Sequence, residues 1–78
     1  MIRALDLVVL THDIDEYELK SGDVGIVVHC YSDGEGYEVE FVTANGETIG
    51  VLTLTRADIR PRARKEILRI REFEPLPA

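Results

Sequence analysis

Few residues in this chain could carry out a reaction: two histidines, His12 and His29, one cysteine, Cys30, and the carboxylates of the acidic segments. A thiol nucleophile needs a base within hydrogen-bond reach. His29 and Cys30 are adjacent, and adjacent side chains of an extended strand point to opposite faces, so they form no dyad. Cys30 shares the strand phase of Val24, Ile26 and Val28, which assigns it to the core as a small apolar residue. His29 then falls on the outer face. Two histidines without cysteine support make a weak zinc site. The acidic segment His12-Asp13-Ile14-Asp15-Glu16-Tyr17-Glu18-Leu19 lacks the regular ligand spacing, central Gly and terminal Glu of a calcium loop. Glu38 and Glu40 share a strand face with no acid–base partner in the sequence nearby, which is the pattern of a solvated face. The expectation is a protein that is not an enzyme and holds neither metal nor cofactor.

Binding is better supported. Tyr17, Tyr31 and Tyr37 could line a groove between the long first loop and the second hairpin, with ring faces buried and hydroxyls wet. Asp15 and Glu16 on the same loop would favour a basic partner. Arg62, Arg64 and Arg69 form a basic surface of their own near the C-terminus.

The elements that must position these side chains read as strands. Leu5-Asp6-Leu7-Val8-Val9-Leu10-Thr11 is short and branched, with apolar residues on both faces. The acidic loop follows, pinned by Ile14, Tyr17 and Leu19. In Lys20-Ser21-Gly22-Asp23-Val24-Gly25-Ile26-Val27-Val28, Gly22 suits a turn with positive φ and Asp23 can accept bonds from nearby backbone N–H groups. Gly25, just inside the second strand, implies a bulge or a close approach of another part of the chain. A glycine-rich turn that cradles phosphate leads into a helix; this one leads into a strand. Ser32-Asp33-Gly34-Glu35-Gly36 is a hairpin loop. In Tyr37-Glu38-Val39-Glu40-Phe41, Tyr37, Val39 and Phe41 face the core and the glutamates face water. Asn45-Gly46 signals a second hairpin, leading to the strand Thr48–Thr55. A single turn and a short closing strand end at Pro61. Beyond it, Ala63, Ile67, Ile70 and Phe73 fall near helical spacing, and this short amphipathic helix, weak alone, needs a surface to dock on. The apolar second face of the first strand is a candidate.

At 78 residues the chain has room for one domain, and its single cysteine forms no disulfide within the chain. No apolar run approaches the ~20 residues of a membrane span, and a lone cysteine without an export signal suits the cytoplasm. Residues 1–60 carry four basic side chains against twelve acidic, a balance of −8, whereas residues 61–78 carry five against three, a balance of +2. The acidic body repels a phosphate backbone, which disfavours general nucleic-acid binding.

Gly22-Asp23-Val24-Gly25-Ile26-Val27 is similar to the Gly-Asp-x-Gly-x-Val turn of translation-type and KOW-like barrels. The wider pattern from Leu5 to Pro61, with Tyr37-Glu38-Val39-Glu40-Phe41 and Val51-Leu52-Thr53-Leu54, resembles a family of short bacterial proteins of unknown function expected to be SH3-like. The resemblance implies an all-β fold: a small SH3-like barrel of about five strands over residues 1–61, followed by a C-terminal amphipathic helix and tail over 62–78. It supplies a fold and no activity. The leading expectation is a cytoplasmic protein-interaction or assembly module, antitoxin-like or accessory, that meets an unidentified protein partner and could form a homodimer. The alternative is a KOW-like nucleic-acid-binding domain using the basic C-terminal segment.

Overall fold

Alternation in Tyr37-Glu38-Val39-Glu40-Phe41 places every second side chain on one side of a strand, and that side is buried. In the computed structural model, which describes residues 2–62, the chain forms five strands: β1 (Leu7–Leu10), β2 (Val24–Cys30), β3 (Gly36–Val42), β4 (Thr48–Thr55) and β5 (Ile59–Pro61). All pairings are antiparallel, and the sheet order is β4-β3-β2-β1-β5. The expected all-β class and strand number hold. The sheet is open, however, because β4 and β5 stand at its two edges without pairing to each other. The expected C-terminal helix lies outside the described residues, as do Arg64 and Arg69.

β4 and β5 are nonetheless joined by only Arg56, Ala57 and Asp58. Five flat strands would separate the outer two by about 19 Å, whereas four residue steps reach at most about 14 Å. The sheet must therefore roll. The corner is a tight turn in which the Asp58 N–H donates to the Thr55 carbonyl at 3.0 Å. Asp58 Oδ2 accepts from the Thr55 N–H at 2.8 Å and from its hydroxyl at 3.0 Å. Thr11, just after β1, donates its N–H to the Asp58 carbonyl and its hydroxyl to the Ala57 carbonyl, at 2.9 and 2.8 Å.

Rolling gives the sheet one inner face. Val8, Leu10, Leu19, Val27, Tyr37, Val39, Phe41, Leu52, Leu54 and Ile59 form a continuous buried core there. In β2 the inward phase is Gly25 and Val27, not the expected Val24, Ile26 and Val28. The reason is a bulge: the β2–β3 register shifts between Val27 and His29, so Val28 is an extra, exposed residue. Past the bulge the phase reverses, and Cys30 packs partly against the core opposite Tyr37. Leu5 also departs from expectation. It stands outside β1, 78% exposed and with φ of 71°.

Gly25 is not the bulge. It faces Val8 across the ladder, and a Cβ built on it would lie 2.6 Å from Val39 Cγ1 and 2.8 Å from Phe41 Cε1. Absence of a side chain here lets Phe41 cross the core. Among the other glycines, Gly22 does adopt the expected positive φ, 94°, with Asp23 Oδ2 accepting from the Lys20 N–H at 2.8 Å.

The long first loop contains a single 3₁₀ turn, Asp15–Tyr17, closed by a bridge between Ile14 and Leu19. Leu19 plugs the core, Ile14 packs against it, and Tyr17 is 41% exposed. His12 clasps this loop to the β4–β5 corner. Its Nδ1 lies 2.9 Å from the Asp13 carbonyl and its Nε2 2.7 Å from Asp58 Oδ1. Both partners only accept, and only the imidazolium donates from both nitrogens. The Asp58 hydrogen bond, then the Asp13 carbonyl, raise the His12 pKa above 6.5. The Thr55 backbone N–H, then His12, lower that of Asp58.

Two outcomes follow from this packing. Gly25→Ala overpacks the core and lowers stability by about 1–3 kcal/mol, measured by urea denaturation; an unchanged midpoint would show that Val39 and Phe41 yield freely. The raised His12 pKa contributes stability that is complete below pH 6.5 and is lost as pH rises through the folded value. The lowered Asp58 pKa contributes stability above its ordinary 3.8 that is lost as pH falls through the folded value. The thermal midpoint should therefore decline as pH rises above about 6.5 and His12 loses its proton. His12→Gln should flatten that limb, an effect kept small by solvent and screened by salt.

Candidate functional site

The β2–β3 hairpin ends close to β5, and the space between them is a cleft of about 560 Å³. Cys30, Tyr37 and Ile59 come from the strands below it, Ile2 from the N-terminal segment, and Tyr31, Arg56, Arg60 and Pro61 line it together with the β2–β3 loop at Ser32 and Gly34. Tyr37 and Ile59 belong to the core, so the floor is fixed by the same packing that holds the sheet rolled. No described residue lining the cleft is acidic, although twelve of the fifteen Asp and Glu side chains lie within residues 1–62. An apolar and aromatic floor beside two arginines suits a ligand with apolar groups and negative charge.

Tyr31 is held in place by three neighbours. Its ring lies over Gly36, where a Cβ would stand 3.0 Å from Tyr31 Cδ2. Its hydroxyl donates to Glu38 Oε1 at 2.7 Å, and His29 meets its ring edge-on, with centroids 4.9 Å apart and planes at 87°. Thr53 donates to the same Glu38 oxygen. These hydroxyls, Thr53 first and Tyr31 second, lower the Glu38 pKa, and the bond to Glu38 raises that of Tyr31. Glu38 thus has partners that its sequence neighbourhood did not reveal. A carboxylate held further below neutrality is a weaker base, so the arrangement serves to orient Tyr31 and does not prepare a general base.

The structure brings together Tyr31 and Tyr37 of the expected groove and separates Tyr17 from them. The Tyr17 ring stands beside Gly50 of β4, where a built Cβ would lie 3.3 Å from two of its atoms. Asp15 and Glu16 are exposed on the 3₁₀ turn and take no part in the cleft. Arg62 follows β5, its N–H donating to the Leu7 carbonyl at 3.4 Å. Arg56, Arg60, Ile2 and Pro61 were not anticipated as lining. The signal was present in the sequence, since Arg56 and Arg60 are two of only four basic residues before position 61 and they flank the turn into the closing strand.

The other chemistry is sparse. His12 is committed to Asp58, and His29 to the Tyr31 edge. Among the described residues, no group of three or more His, Cys, Asp or Glu side chains is placed to hold a metal ion. Among them also, no helix is long and apolar enough to cross a membrane.

No curated protein and no solved structure matches this chain. A family model does match, over residues 4–61, which spans every strand and most of the residues that line the cleft. The chain therefore belongs to the family described as a domain of unknown function, DUF4926.

Proposed function

We propose that this chain is a non-catalytic protein-interaction module built on an SH3-like barrel, acting in the bacterial cytoplasm and taking an extended segment of a partner protein into the cleft beside Tyr31 and Tyr37. The observation that carries this reading is the composition of the cleft: an aromatic and apolar floor with Arg56 and Arg60 alongside, on a chain whose net charge is −6. Peptide grooves of this kind use aromatic faces for apolar side chains and a charged group for register. Arginine at the rim selects partners with carboxylates at the matching position, and repels basic ones. The acidic loop with Asp15 and Glu16 offers a second, opposite surface, so an accessory or antitoxin-like role would join a partner through both signs of charge. The basic C-terminal residues support the nucleic-acid alternative less well, because residues 1–60 carry a net charge of −8 that opposes the approach of a phosphate backbone.

Selection from a displayed library of random peptides tests the cleft directly. The expected outcome is enrichment of sequences that combine apolar or aromatic residues with Asp or Glu. Arg56→Glu should reverse the charge preference, and Tyr31→Ala should weaken binding about tenfold, in keeping with the loss of one aromatic anchor. Enrichment indifferent to both variants, or none at all, would sink the proposal. Retention of a random RNA pool that weakens steeply with salt would instead favour the nucleic-acid alternative.

A further inference from the structure

The two edges of the sheet differ in how they are guarded. An edge strand carries a row of unpaired N–H and C=O groups, and shortness, charge or proline keeps other strands away from it. β5 has all three: it is three residues long, contains Arg60 and ends at Pro61. β4 has none of them. It runs for eight residues, Thr48-Ile49-Gly50-Val51-Leu52-Thr53-Leu54-Thr55, without a charged side chain or a proline. Among the described residues it pairs with β3 alone.

Exposed apolar surface gathers at the same edge. Val51 is 49% exposed. Val42, which pairs with Thr48, and Tyr17, whose ring stands beside Gly50, are exposed to a similar degree. These are three of the six exposed large hydrophobic side chains among the described residues, so half of that surface lies at one edge.

Charge selects the occupant. β4 is bracketed by exposed residues of opposite sign, Glu47 just before it and Arg56 just after it. An antiparallel pair of two copies of β4 brings each of these toward its opposite on the other copy. Elsewhere two chains of net charge −6 repel. The nearest strand carboxylates, Glu38 and Glu40, sit one strand in from the edge and accept bonds from Thr53 and Thr48. In such a pair the two glutamate rows would stand three strand spacings apart, about 14 Å. The screening length at physiological ionic strength is about 8 Å, so their repulsion is weak.

We propose that β4 is the interface of a homodimer, pairing antiparallel with β4 of a second copy about a two-fold axis, with Glu47 and Arg56 meeting their opposites at the ends. Centred near Leu52, the pair sets Val51 against Thr53 of the second copy, a β-branched match of the kind that stabilises neighbouring strands. The contact uses the unguarded edge of both copies, so the assembly closes at two.

Sedimentation equilibrium on the full chain tests this, and twice the chain mass is expected. Val51→Lys puts a charge on the edge and should raise the dissociation constant about tenfold or more. Val28→Lys, at an exposed site on β2, should leave it unchanged. Arg56→Glu should weaken association, and adding Glu47→Arg should restore it, because the swapped ends are again complementary. Amide shifts of the unmodified chain should change on dilution at β4 and Tyr17, a readout that needs no variant to fold. A chain still monomeric at about 1 mM would overturn the proposal. So would a dimer indifferent to Val51→Lys, a charge swap that restores nothing, or dilution shifts centred on another element.

Discussion

Three residues between β4 and β5 hold the architecture together. They join strands at opposite edges of one sheet, and no flat arrangement lets so short a link reach. Everything else accommodates the roll this imposes. Asp58 makes the corner rigid by accepting from both the N–H and the hydroxyl of Thr55, and His12 and Thr11 tie the start of the first loop to it. A small domain with no disulfide gains one enclosed core in this way, lined from all five strands and plugged by Leu19.

The core also sets the shape of the cleft. A missing side chain at Gly25 admits Phe41, and the extra residue at Val28 turns the end of β2 so that Cys30 rejoins the inner side. That turn sets the His29–Tyr31 stretch against Glu38. The Tyr31 ring then lies over Gly36, clamped by a hydroxyl–carboxylate bond and an edge-on imidazole. A rigid aromatic ring loses little freedom on binding, which is the physical advantage of such a clamp in an interaction site.

Charge is distributed with the same economy. Among the described residues the acidic side chains lie on loops and on the outer rows of β3 and none of them lines the cleft, whereas Arg56 and Arg60 do. Local sign therefore differs from global sign. A partner would be steered by the field of the whole chain at long range and sorted by the arginines at contact.

Much of the fold was legible in the residues themselves. The alternation in β3, the Asn45-Gly46 hairpin and the positive φ of Gly22 are local properties, governed by side-chain period and steric freedom, and they appear where expected. The inward phase of β2 was misread because a bulge is a property of two strands: nothing in Val27-Val28-His29 alone says which residue will go unpaired. The site divides in the same way. Tyrosine and arginine identities are written in the chain, but their meeting depends on the roll that carries β5 to the far edge and places Arg56, Arg60 and Pro61 near the β2–β3 hairpin. Tyr17, equally aromatic, is set beside β4 by the same roll. Sequence determined the strands, the turns and the supply of side chains; only tertiary structure decided which of them share a surface, because that depends on long-range closure and not on neighbours along the chain.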